Sequence, residues 1–364
     1  MIFSKDIKWK QLWSLVALHA SIIIGWIAYY NYQPKLLAQY NYQDYGFFLV
    51  IAQAIILFIT PPVAGWLGDR YRKRSGHRLP IIAMGISFAA MIFMTVAFTL
   101  IINPPEAFLF LLPVLIILWL ISMSIFTSPA LSTSELFAPS GKLPTVVAIL
   151  SIVSGLLYSI EPIIVDIIDF WGAPFTFFAG GALVFVSGYY LRNSITNSTI
   201  TDTVPENTVD DSGIMSYVRI FFVGLAFGLV TAVIFNILPD KIGDKFTNLL
   251  NLGWQGKAWV SVFLALSAIL CIPISAWVEK TGLQKSLRIG LIFSLLLIST
   301  ILSTSNTSTL LILLFMFAAA YSVLSVSALP MALTRSGLTH KVLAIGIFFS
   351  GVELPNSIID ALMY

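Results

Sequence analysis

Charge is scarce in this chain. Only 10% of its 364 residues are Asp, Glu, Lys or Arg and 58% are hydrophobic, against roughly 25% charged in an average soluble domain. Together with a mean hydropathy of +0.92, this excludes a water-soluble fold and puts most of the length in hydrocarbon. Cysteine is nearly absent as well: Cys271 stands alone, so no intramolecular disulfide and no cysteine-based metal cluster can form. The sequence has no Walker phosphate loop and no HExxH, GxSxG or GxGxxG motif, which argues against an ATP-driven pump, a membrane protease and a nucleotide-linked enzyme. The expectation is a non-enzyme with no cofactor and no metal. The net charge of +3 does not point to nucleic acid, because the basic residues sit in short loops between apolar runs and not on one face.

What the chain does have is long apolar runs. Lys5, Lys8 and Lys10 precede a stretch too long for a signal-peptide core and without a small-residue cleavage site, so it is read as a retained first span. Eleven runs are long enough to cross a bilayer: 12–33, 45–67, 80–102, 107–134, 144–165, 173–191, 217–238, 258–278, 287–303, 308–333 and 342–362. With the N-terminus in the cytoplasm, sixteen of the twenty Lys and Arg residues fall on the inside, leaving Lys35, Lys241, Lys245 and Lys257 outside. That asymmetry supports both the count and the orientation, and places the C-terminus outside. The fold class is therefore an all-α, polytopic membrane protein. A Ser-, Thr-, Asn- and Asp-rich interruption at 193–216 divides it into a six-helix bundle (1–192) and a five-helix bundle (217–364). This segment carries only acidic charges (Asp202, Glu206, Asp210, Asp211) and reads as a cytoplasmic linker, on which the sequon at Asn197 carries little weight. A monomer in the plasma membrane, in contact with lipid, is expected.

The two parts echo each other. Pro62-Val63-Ala64-Gly65-Trp66 followed by Asp69-Arg70 recurs as Pro273-Ile274-Ser275-Ala276-Trp277 followed by Glu279-Lys280. More weakly, Ala130-Leu131, Lys142 and Ser154-Gly155 recur as Ala328-Leu329, Lys341 and Ser350-Gly351. Both offsets are close to half a transporter built from two parallel six-helix repeats. The loop Gly65-Trp66-Leu67-Gly68-Asp69-Arg70-Tyr71-Arg72-Lys73-Arg74 resembles the signature between helices two and three of the major facilitator superfamily, with Arg72 where that family usually has Gly. Ser75-Gly76-His77-Arg78-Leu79-Pro80 is similar to the form found in its sucrose-transporter and glycoside-pentoside-hexuronide branch. Gly25-Trp26, Pro34, Ser325 to Pro330, Gly346-Ile347-Phe348 and Leu354-Pro355 extend that likeness. The resemblance implies two pseudo-symmetric bundles, here lacking a twelfth helix that in the family lies on the supporting perimeter.

By the same resemblance, the loop latches the two halves on the cytoplasmic side and releases during alternating access. Gly65 and Gly68 permit close backbone approach, and Asp69 can meet the positive N-terminus of a neighbouring helix. Arg70, Arg74, Arg78 and Glu135 are read as further gate or latch residues. The competing reading has Arg70 to Arg78 simply anchoring orientation against anionic lipid.

Ionisable groups at membrane depth are costly, about 2.5–3.5 kcal/mol at a helix centre, and so mark function. Glu353 lies twelve residues past Lys341, roughly 18 Å into a core about 30 Å thick. His19, nine residues past Lys10, lies roughly 14 Å in. Together they make a candidate proton-titratable site. Glu161, beside Pro162, is a candidate at the outer gate, whereas Asp166 and Asp169 read as solvated helix-end carboxylates. Gln53, Tyr158, Asn236, Tyr321 and Asn356 are candidate cavity residues, since rings stack and amides pair donors with acceptors as sugar binding requires. Tyr29 and Tyr30 fit an interfacial belt equally well. No aspartate lies between Phe47 and Leu67, where cation-coupled members of the hexuronide branch carry them, so proton coupling through Glu353, or no coupling at all, fits these residues better than sodium. The function expected is a secondary transporter, a proton symporter of a small polar solute such as a sugar or glycoside. The alternatives are a proton-driven exporter of hydrophobic compounds and a transporter-like assembly factor or sensor.

Overall fold

The structure, a computed structural model, describes residues 5–40, 46–102, 110–198, 200, 202, 213–246 and 255–363. The expected linker charges Glu206, Asp210 and Asp211 lie outside them. Thirteen α-helices are described: α1 (Trp9–Gln39), α2 (Gly46–Ser75), α3 (Leu79–Ile102), α4 (Leu111–Ser132), α5 (Leu143–Ser159), α6 (Glu161–Trp171), α7 (Ala173–Thr196), α8 (Ile214–Ala232), α9 (Leu238–Phe246), α10 (Gly256–Thr281), α11 (Leu283–Ser303), α12 (Thr307–Arg335) and α13 (Lys341–Met363). Eleven segments among the described residues are long and apolar enough to cross a membrane, with α8 and the start of α9 forming one and the short α6 none.

Two spans differ from the sequence expectation. The fifth, expected over 144–165, breaks at Ile160. Pro162 has no N–H to give the carbonyl one turn back, so α5 ends at Ser159 and α6 restarts with the proline in its first turn, where a missing donor costs nothing. The seventh runs on past 238 because α8 passes through a π turn, Val233–Ile237, into α9. Tight reversals between helices fall on glycines of positive φ: Gly76 (71°), Gly172 (78°) and Gly282 (90°), each closing the preceding helix through its own N–H.

Helices α1–α7 and α8–α13 form two bundles. In the first, α3 packs against α4 and α7, and α1 against α7. Its core centres on Trp119, whose ring stacks on Tyr29 at 4.5 Å and meets Trp26 and Phe93 edge-on. In the second, α13 packs on α8, and α12 on α10 and α11. Between the bundles, α2 runs along α13 and α10 along α5. In the six-span repeat α2 corresponds to α10 and α5 to α13, so each half lends the other the same pair of helices. Large apolar side chains such as Phe48, Met91, Ile269 and Ile312 are exposed on the outer surface, as a lipid-facing surface requires.

Small residues set the closest approach. A Cβ added to Gly224 would stand 3.0 Å from the Phe348 carbonyl carbon, and one on Gly228 2.8 Å from that of Val352. This Gly-x-x-x-Gly face lets α8 touch the α13 backbone. Gly228→Val should therefore force the two helices apart at a cost of about 1–3 kcal/mol. The readout is a lowered melting temperature in detergent, with Gly141→Ala as a control because no atom lies within 4 Å of a Cβ there.

Candidate functional site

Each half ends a helix in a carboxylate that clamps the start of a helix in the other. At the end of α2, Asp69 is 2% exposed. Its Oδ1 accepts from the Val342 N–H at 3.1 Å and its Oδ2 from Leu343 at 2.9 Å, satisfying two free donors at the positive end of α13. Gly65 and Gly68 make this approach possible: added Cβ atoms would lie 2.6 Å from the Leu343 Cα and 2.8 Å from the Val342 Cγ1. At the repeat-related end of α10, Glu279 takes Lys142 Nζ on Oε2 at 2.7 Å and the Thr145 hydroxyl on Oε1, at the start of α5. The two contacts are the same device used twice.

Beside the first latch lies a buried ionic cluster that the sequence did not reveal. Arg78, with no exposed surface, donates to Asp202 through Nε (2.7 Å) and Nη2 (2.6 Å), to Ser132, and to Glu135 at 2.8 Å. Glu135 in turn pairs with Lys341 of the other half at 2.8 Å. Arg72 binds Asp202 at 2.7 Å and donates through Nη1 to the Leu338 carbonyl at 2.8 Å, again across the halves. Asp202 thus departs from the solvated linker expected of it: it is 2% exposed and joins the linker to both arginines. Burial opposes its charge, but Arg78, then Arg72 and the Arg78 backbone N–H, outweigh that and hold its carboxyl below the usual range. Burial likewise works against Arg78, and Glu135 and Asp202 more than compensate, raising its pKa above the ordinary arginine value.

Between the halves, deeper than the latches, is a cavity of about 550 Å³. His19 reaches it from α1, Tyr158 from α5, Tyr321 from α12, and Glu353 and Asn356 from α13. Glu161, at the start of α6, also lines it. Asn236 arrives on the π turn, a local widening that often accompanies functional sites. His19 Nε2 pairs with the Ser154 hydroxyl at 2.7 Å, while its Nδ1 is buried without a partner. Tyr321 stacks on Phe227, and Tyr158 meets Phe235 across the halves.

Three expected site residues lie elsewhere. Gln53 does not line the cavity: buried behind it, Gln53 accepts from the Tyr29 hydroxyl at 2.9 Å and donates to that of Tyr30 at 3.5 Å. It orients Tyr30, which does line the cavity. Arg70 and Arg74 are exposed and take no part in the latches; Arg70 lies over the Trp66 ring at 5.4 Å. Their long stems suit a membrane surface better than a buried clamp. Asp169 is not free at its helix end, since it holds Lys35 at 2.7 Å and Asn31 at 2.9 Å on α1. Two residues of the cavity and the ionic cluster were not singled out in the sequence. Asp360 lines the cavity one and two turns beyond Asn356 and Glu353, a spacing that marked it, and Arg72 is the signature's departure from Gly.

Asp202→Asn should lower stability by about 3–5 kcal/mol, since it leaves buried arginine charge uncompensated. A carboxyl whose folded pKa is depressed stabilises above its unfolded value, about 3.9, and loses that contribution as pH falls through the folded value. The gap in melting temperature between wild type and variant should therefore stay constant from pH 8 to 5 and close only under strong acid. A gap that closes near pH 6 would contradict the assignment.

No family model and no curated protein matches the sequence. Solved structures do. The chain is similar to the human organic anion transporter MFSD10 (TETRAN), with a TM-score of 0.73 at 12% identity, covering 98% of this chain and 93% of that one. It is similar to a bacterial homologue of the iron transporter ferroportin in an outward-facing state, with a TM-score of 0.58 at 14% identity and coverages of 97% and 98%. A third is the Escherichia coli fucose:proton symporter FucP, with a TM-score of 0.57 at 12% identity and 95% of each chain covered. All three are of major facilitator type and none is an enzyme. The paired bundles, the exchanged helices and the central cavity are those of the major facilitator fold.

Proposed function

We propose that this chain is a secondary transporter that moves a small solute through the central cavity by alternating access, with protons as the coupling ion. One observation carries the reading: a cavity large enough for a small organic molecule lies between two bundles whose contact at one end is a set of breakable polar latches. The basic loops favour the cytoplasm for that end, so the latches would close the cavity on the cytoplasmic side. Glu353 is the coupling group. It faces the cavity near the middle of α13 and has no hydrogen-bond partner described, so a proton can bind there without breaking a structural contact. The fucose:proton symporter among the similar structures shows this fold combined with that coupling ion.

The solute is small and of mixed polarity. Two of the three amides expected for sugar binding, Asn236 and Asn356, line the cavity, and so do Phe227, Phe235, Phe348 and Phe349. Sugar specificity and export of purely hydrophobic compounds are both weakened by that mixture.

In proteoliposomes with an imposed pH gradient, uptake of labelled saccharides, amino acids and amines should show accumulation of at least one class. Glu353→Gln should cut the gradient-driven component tenfold or more, and by more than it cuts gradient-free exchange at saturating solute. Unchanged gradient-driven uptake would remove Glu353 from coupling, and no accumulation across the panel would favour the sensor reading.

A further inference from the structure

The charge lining the cavity is of one sign. Among the described residues, Glu161, Glu353 and Asp360 are the Asp and Glu side chains that line it, and no Lys or Arg does. Glu353 lies within electrostatic range of Asp360 and of the Tyr30 and Tyr158 rings. The nearest basic influence is Lys257 at the start of α10, which acts on Glu161 but does not line the cavity. His19 contributes an unpartnered, buried Nδ1, and Cys271 and Tyr321 complete the titratable groups facing the space. Trp26, Tyr30, Tyr158, Phe235, Phe348 and Phe349 line the same cavity, with Tyr30 and Tyr158 the rings within electrostatic range of Glu353.

Two physical effects follow. Carboxyl groups with no basic partner in a low-dielectric cavity disfavour an anion and gain nothing from a neutral solute, whereas a bound cation favours their ionised form and is neutralised by it. Aromatic faces add attraction for a cation that has shed its water, and pack the rest of its body. We infer that the solute is an organic monocation, an amine or quaternary ammonium carrying an apolar or aromatic group, with Glu353 and Asp360 as its counter-ions. This rests on the transport reading above and names the solute class. It sets the chain apart from the organic anion transporter whose fold it shares.

Three probes that share a phenyl group and differ in charge test it: benzyltrimethylammonium, benzyl alcohol and phenylmethanesulfonate. With the full chain in detergent at neutral pH, titration calorimetry should give saturable binding of the ammonium at least tenfold tighter than either of the others. Glu353→Gln should weaken it tenfold or more, and Asp360→Asn does the same by an independent route should the first variant fold poorly. Equal binding of all three probes, tightest binding of the sulfonate, or no binding of the ammonium would overturn the monocation class. If gradient-driven uptake of another solute persists in those cases, the transport reading stands and only the class falls. If both assays are negative, both fall.

Discussion

Two carboxylates, Asp69 and Glu279, hold this molecule in the form described. Each closes the end of one half onto the first turn of a helix in the other, where backbone donors or a lysine and a hydroxyl await an acceptor. The contact lies at the loop end, where water is the alternative partner for the same donors and acceptors. The bundles below it are held by close packing such as the Gly224 and Gly228 face on α13, which has no aqueous substitute. Contacts within the halves and contacts between their loop ends thus rest on different chemistry at different depths.

Asp202 is part of this arrangement. It pairs with both Arg72 and Arg78, and through them is joined to Glu135 and to the Leu338 carbonyl. A buried cluster of this kind stabilises little by comparison with an apolar core, but removing one member leaves the others unpaired, so it fixes a geometry. Here the fixed geometry is the position of the α2–α3 turn beneath the first latch.

Much of this was legible in the sequence. Apolar run lengths and loop charges give the spans because a bilayer imposes one length and one sign rule. The echo of Pro62 to Trp66 in Pro273 to Trp277 points to the repeat, and the carboxylate at its end, Asp69, is a local feature set by the helix terminus it faces. Less legible were contacts that join distant segments. Asp202 lies in a stretch without apolar period and meets Arg78 across more than a hundred residues, so composition alone reads it as solvated. Gln53 and Tyr30 occupy similar depths, and only packing decides which faces the cavity and which stands behind it. The π turn under Asn236 has no sequence mark distinct from its apolar neighbours.

Breaking the paired carboxylate latches should open the loop end. Spin labels at Arg74→Cys and Lys280→Cys, in a chain with Cys271→Ala, sit on exposed positions of the two halves at that end. Pulsed electron-electron dipolar spectroscopy should give one short-distance population in the otherwise wild-type protein. Adding Asp69→Asn with Glu279→Gln should transfer a substantial share to a longer distance; an unchanged distribution in that variant would contradict the account.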